Sequence, residues 1–78
     1  MRKLYVYQTS VGPFYIAEDK ERFHPVFRDE SLGSYATAQQ AAEDLAGGHT
    51  FSIAGGIDPS ELGISDQLED WEKITPEA

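Results

Sequence analysis

The first third of the chain alternates between apolar and polar positions with a period of two, which is the pattern of half-buried β-strands. Short polar or turn-forming stretches separate three such segments, at residues 3–9, 14–18 and 23–28. A fragment of a fourth strand is predicted over 32–36. Because Pro25 cannot donate a hydrogen bond to a neighbouring strand, the third segment is expected at a sheet edge or a bulge. The pattern predicts an antiparallel meander of three to four strands.

The period then changes to that of a helix. Apolar residues recur at helical spacing at Ala38, Ala41, Ala42 and Leu45. Thr37 and Gln40 match a capping box, and Gly47-Gly48 supplies a stop signal. We therefore predict a helix over 38–46 that packs closely on one face of the sheet, which makes the fold α+β.

The last third of the chain predicts an acidic, partly helical tail over 58–74. Asp58-Pro59-Ser60-Glu61 has the residues of a helix start, and Gly63 ends that helix within a turn. Ser65 is then expected to cap a second short helix that runs to Lys73. The final residues, 75–78, are expected to fray.

Alternation divides the predicted sheet into two faces. The first is expected to lie under the helix and carries Leu4, Val6, Phe14, Ile16, Phe23 and Phe27. The second carries aromatic and basic residues: Tyr5, Tyr7, Tyr15, His24 and Arg28, with Lys3 nearby. Such a surface can stack single-stranded bases or bind acidic peptides. A small domain needs to bury as much apolar surface as it can. We therefore favour the interpretation that the tail covers this second face and is anchored there by Leu68 and Trp71.

Charge is distributed unevenly along the chain. Residues 1–28 carry five basic and three acidic side chains, whereas residues 29–78 carry eleven acidic side chains and only Lys73, and the net charge is −8. A strongly acidic surface repels nucleic acid and anionic membranes, so a protein with a basic surface is the favoured partner. The candidate acidic contacts lie on the helix and tail and are Glu43, Asp44, Asp66, Glu69 and Asp70.

Residue types that carry catalysis or bind metal are sparse. The chain has no cysteine, and its two histidines, His24 and His49, do not form a metal-binding spacing. Gly33-Ser34-Tyr35 lacks the second glycine of a nucleophile elbow, and neither Gly-Gly pair is followed by the Lys-Ser/Thr of a phosphate loop. We therefore predict no enzyme activity, no metal and no cofactor.

Length and hydropathy predict a single domain over 1–78 in the cytoplasm. The chain has no run of about 18 apolar residues, so no membrane span is predicted. Its basic start lacks the apolar core of a signal peptide. The oligomeric state is open, although Pro25 at an edge slightly favours a monomer over pairing between sheets.

The stretch from Leu32 to Thr37, followed by Ala38 and Ala41-Ala42, resembles the strand-to-helix junction of β-β-β-α domains. These include the arm-type DNA-binding domains of phage integrases and plant AP2-like domains, and the likeness covers the layout of residues 3–46. Those families read DNA with a basic sheet, whereas the helix and tail here are acidic. The chain is also similar to short bacterial proteins of unknown function with Tyr-x-Tyr strands. Neither resemblance implies a functional residue.

Three functional hypotheses follow. The preferred one is a non-enzymatic module that docks a basic protein through its acidic helix and tail. A second is an acidic mimic of nucleic acid that inhibits a nucleic-acid-binding protein. A third is single-stranded nucleic-acid binding by the tyrosine-rich face, which requires the tail to leave that face open.

Overall fold

A five-stranded antiparallel sheet forms one layer of the computed structural model, which describes residues 2–50, 53 and 55–74. The predicted fray at 75–78 lies outside these residues. The strands run in the spatial order β4-β3-β2-β1-β5. Their bounds are Arg2–Thr9 for β1, Gly12–Asp19 for β2, Arg22–Phe27 for β3, Glu30–Ser31 for β4 and Glu72–Lys73 for β5. The first four strands form the predicted meander, although β4 precedes the fragment predicted over 32–36, and β5 returns from the tail to pair with β1.

One α-helix packs on this sheet and confirms the α+β prediction. Helix α1 spans Ala38–Gly47, one residue longer than predicted, and the Thr37 hydroxyl accepts a hydrogen bond from the Gln40 N–H as its N-cap. Gly48 ends the helix in the left-handed conformation, with φ 75°, which glycine adopts without a steric penalty. Ala41, Ala42 and Leu45 are buried against the sheet.

A single hydrophobic core joins the sheet, the helix and the tail. Phe14 and Phe27 stack at its centre, with ring centroids 4.4 Å apart. Its buried members are Phe14, Ile16, Phe27, Leu32, Ala41, Ala42, Leu45, Ile53, Ile64 and Trp71. Residues from every part of the chain thus share one interior, which a domain of this size needs in order to bury enough apolar surface.

The strand register corrects the predicted division of the sheet faces. Tyr5 lies opposite Ile16 and Tyr7 opposite Phe14, whereas Val6 lies opposite Tyr15. Because directly opposed residues share a face, Tyr5 and Tyr7 belong to the face under the helix, and Val6 does not. The register runs without interruption from Thr9 to Tyr5, and a shift between Lys3 and Tyr5 then places Lys3 on the same face as Val6. Alternation within one strand carries no information about its phase relative to the next strand, so the prediction for β1 was wrong.

We call the two surfaces of the sheet the core face and the far face. The core face lies under α1 and carries Tyr5, Tyr7, Phe14, Ile16, Phe23, Pro25 and Phe27. The far face carries Lys3, Val6, Tyr15, Ala17, His24 and Val26. The predicted faces of β2 and β3 agree with the structure: Phe14, Ile16, Phe23 and Phe27 share one face, and Tyr15 and His24 share the other. The edge position predicted for β3 from Pro25 was wrong, because β3 lies between β4 and β2.

The tail also differs from its prediction in form and position. Pro59–Glu61 and Leu68–Asp70 are single 3₁₀ turns, and Glu72–Lys73 is a strand rather than the end of a helix. The Ile74 N–H donates to the Leu4 carbonyl, so this segment satisfies backbone groups at the edge of β1. Because Trp71 enters the same core as α1, the tail lies on the core face and not on the opposite face as predicted.

Candidate functional site

Acidic side chains cover the layer formed by α1 and the two 3₁₀ turns. We call the described residues from 38 to 70 (38–50, 53 and 55–70) the helical layer; they include no lysine or arginine. Seven acidic residues lie on it, all exposed except the half-buried Asp44: Glu43, Asp44, Asp58, Glu61, Asp66, Glu69 and Asp70. The five acidic residues predicted for an interaction surface all belong to this layer.

The ion pairs of the described chain lie outside the helical layer. They are Arg2–Glu18 at 2.7 Å and Lys3–Asp29 at 3.6 Å. Both join residues of the sheet and its turns. Within the described residues, no lysine or arginine forms an ion pair with an acidic residue of the helical layer.

Gln39 joins the helix to the tail and brings two of the predicted residues together. Its Nε2 atom donates to Glu43 Oε2 at 3.1 Å and to the Asp66 carbonyl at 2.7 Å. Its Oε1 atom accepts from the Leu68 N–H at 3.4 Å. Glu43 and Asp66 therefore lie on one surface. Sequence reasoning missed Gln39, because its tail partners are 27 and 29 residues away and no local pattern marks them.

Asp44 lies on the other flank of α1, because consecutive helical residues are separated by about 100° around the axis. It faces Tyr35. Burial, and then the neighbouring Asp44 carboxylate, raise the pKa of the Tyr35 hydroxyl. Asp44 is therefore separate from the Glu43 and Asp66 pair, and the predicted acidic set divides between the two flanks of the helix.

The second 3₁₀ turn fixes Asp70 through Ser65. The Ser65 hydroxyl donates to Asp70 Oδ2 at 2.7 Å and accepts from the Gln67 N–H at 3.0 Å. The Ser65 carbonyl accepts from Trp71 Nε1 at 2.9 Å. These bonds hold the acidic turn against the buried Trp71, which packs on the core face and not on the second face where its anchoring role was predicted.

Asp58 has a structural role at the first 3₁₀ turn. Its carboxylate accepts hydrogen bonds from the Ser60 hydroxyl at 2.7 Å and the Ser60 N–H at 3.0 Å. These two bonds lower the pKa of Asp58. The cap therefore stabilises the charged form of Asp58.

The five residues of the predicted aromatic and basic face do not form one surface. Tyr5 and Tyr7 lie on the core face, where the Tyr7 ring centroid is 5.3 Å from that of Trp71. Tyr15 lies on the far face under the Lys3 ammonium, which is 4.4 Å from its ring centroid. Arg28 lies in the turn after β3, with its guanidinium 4.9 Å from the Phe27 ring centroid.

His24 holds the chain that follows β4. Its Nδ1 atom lies 2.8 Å from the Gly33 carbonyl, to which the Ser31 hydroxyl also donates at 2.9 Å. The neighbouring Arg22 donates from Nε to Ser34 Oγ at 3.0 Å. These contacts give both basic side chains of β3 a structural role beside the loop that leads to α1.

Residues 2–50, 53 and 55–74 carry two histidines and thirteen acidic side chains. These residues contain no group of three or more histidine and acidic side chains placed to hold a metal ion. Within the same residues, no helix has the length and apolarity needed to cross a membrane.

A scan against protein-family models finds no match, and searches of curated proteins and of solved structures find none either. No activity or partner is therefore transferred to this chain by similarity, and its functional assignment depends on its geometry and charge.

Proposed function

We propose that this protein is a non-enzymatic interaction module that docks a basic protein through its helical layer. The observation that carries the proposal is the charge of that layer, which holds seven acidic side chains and no lysine or arginine. Glu43, Asp66 and Glu69 are its best candidate contacts, because all three are exposed and carry no structural ion pair within the described chain.

The fold presents these carboxylates on a fixed surface. Gln39 ties the Asp66 segment to α1, and Ser65 ties the last turn to Trp71. A surface ordered before binding loses less conformational entropy when the partner arrives. We therefore expect the helical layer to bind without refolding.

Electrostatics determines how such binding depends on conditions. A basic partner is attracted over a distance of about one Debye length, which is about 10 Å at 0.1 M salt and shorter at higher salt. Complementary charge mainly raises the association rate. Binding is therefore expected to weaken steadily as salt is added.

Capture from a lysate of the source organism, compared between two matched variants, tests the proposal. The helical-layer triple variant carries Glu43→Gln, Asp66→Asn and Glu69→Gln. The hairpin triple variant carries Asp19→Asn, Glu21→Gln and Glu30→Gln. Each variant replaces one aspartate and two glutamates and changes the net charge from −8 to −5. Only the helical-layer triple variant should lose the basic protein that the wild type captures at low salt.

An equal loss in both variants would show that net charge alone governs capture, and would contradict the proposal. Adding duplex DNA during the same capture tests the mimic hypothesis. A mimic occupies the nucleic-acid site of its partner, so DNA should displace it, whereas docking at another basic surface should persist.

A further inference from the structure

The far face of the sheet has no covering layer among the described residues. Helix α1 and the Trp71 segment pack on the core face, so among the described residues only side chains of the sheet and its turns cover the other side of the central strand β2. Val6 and Tyr15 are half-buried there, and Ala17 and Val26 are buried between neighbouring side chains. A groove of about 330 Å³ runs along this face and is lined by Lys3, Ala17, Val26 and Asp29.

The charge of the far face is balanced, in contrast to that of the helical layer. Basic and acidic residues occur in equal number on the face and its bordering turn: Lys3, Arg22 and Arg28 against Asp19, Asp29 and Glu72. Lys3 and Asp29 form an exposed pair at 3.6 Å beside the groove. A surface of this kind can be complementary to a copy of itself.

We propose that two copies of this chain associate through their far faces about a two-fold axis. Each copy carries a net charge of −8, most of it on the helical layer. Contact between far faces directs the two helical layers away from each other, which minimises the repulsion between them. A two-fold axis through the groove brings Lys3 of each copy close to Asp29 of the other, and a two-fold interface is self-complementary by construction.

The size of the contact makes this dimer weak. Three long strands of up to eight residues, spaced about 4.8 Å apart, offer a footprint of about 370 Å². This footprint is below the roughly 800 Å² per partner that a stable interface buries. Association is therefore expected to depend on protein concentration and to be incomplete at micromolar concentration.

Salt affects this dimer less than it affects the proposed partner binding. Docking of a basic partner weakens with salt because attraction is screened. In the dimer, salt screens both the repulsion between two acidic copies and the attraction between Lys3 and Asp29 of opposite chains. The dimer is independent of the proposed function, so either can fail without the other.

Sedimentation velocity from micromolar to millimolar concentration tests the dimer, with two variants as a matched pair. Val6→Lys adds one positive charge to the far face, and Gln40→Lys adds one to the exposed side of α1. Both variants have the same net charge. We expect the wild type and Gln40→Lys to form a dimer, and Val6→Lys to associate at least tenfold more weakly. Wild type that stays monomeric throughout, or equal association by the two variants, would overturn the proposal.

Circular dichroism and Trp71 fluorescence report whether Val6→Lys folds. If it does not fold, a mixing experiment still tests the dimer. Lys3→Asp and Asp29→Lys each place like charges against each other in a two-fold dimer, so each should be monomeric alone. An equal mixture restores opposite charges between chains, although not within either chain, and should dimerise. A mixture as monomeric as its separate components would refute the two-fold arrangement.

Discussion

Trp71 contributes more to the fold than its position in an irregular acidic tail suggests. It is 5% exposed, its ring lies against Tyr7, and its Nε1 atom donates to the Ser65 carbonyl. The strand Glu72–Lys73 follows it directly. One side chain therefore attaches the tail to the core and positions β5 beside β1.

Replacing Trp71 with alanine should lower the free energy of unfolding by about 3 kcal/mol, because it removes a buried aromatic ring and leaves a cavity. Trp71→Phe keeps a ring but loses the hydrogen bond to Ser65, so its loss should be smaller. Urea denaturation followed by circular dichroism measures both changes. An alanine variant as stable as the wild type would show that the tail is not anchored by this residue.

Tyr35 links stability to alkaline pH. Burial and Asp44 raise its pKa in the folded state above the ordinary value of 10.0, so the folded protein holds the phenol proton more tightly than the unfolded chain does. The stabilisation is complete below pH 10 and is lost as pH rises through the folded-state pKa. Urea midpoints from about pH 8 to about pH 11 should therefore fall less steeply for Tyr35→Phe than for the wild type. Identical slopes would contradict this role.

At the scale of elements, two hairpins are closed by turns whose backbone conformation is unfavourable for the residues that occupy them. Lys20 and Glu21 have φ values of 52° and 65°, and Arg28 and Asp29 have values of 52° and 64°. Two-residue loops with both φ angles positive are type I′ turns, for which Asn-Gly is the preferred sequence. Side chains with a Cβ atom are strained in this region.

Glu21→Gly should raise the free energy of unfolding by about 0.5–1 kcal/mol, because glycine relieves the strain at φ 65°. Glu30→Gly is the matched control, since Glu30 is an exposed strand residue where glycine should destabilise. Thermal denaturation compares the two variants. The turn interpretation fails if both changes destabilise equally.

The contrast between local and long-range signals explains what the sequence could predict. Thr37, the alanine spacing and Gly48 define α1 locally, so the helix could be located to within one residue. The phase of β1 depends on its register with β2, and β5 depends on pairing between residues about 68 positions apart. No local pattern encodes either. The acidic surface could be predicted from the composition of the helix and tail. Only the packed structure shows that Glu43 lies beside Gln39 on one flank of α1, whereas Asp44 lies beside Tyr35 on the other.

For the whole molecule, the fold separates charge into two layers. The sheet layer contains every arginine and lysine, including Lys73 on β5, and the helical layer contains only acids among its charged side chains. The core lies between the layers and holds them in place. This separation gives the molecule one strongly negative side, which we propose docks a basic partner, and one nearly neutral side, which we propose pairs with a second copy.

The most direct test of the account is the salt dependence of binding between the captured partner and three forms of this chain. The helical-layer account predicts that affinity falls with salt for the wild type and the hairpin triple variant along similar slopes. The helical-layer triple variant should bind more weakly at low salt and show a shallower slope, because it makes fewer ionic contacts. If instead the two triple variants have the same slope, the helical layer is not the docking surface.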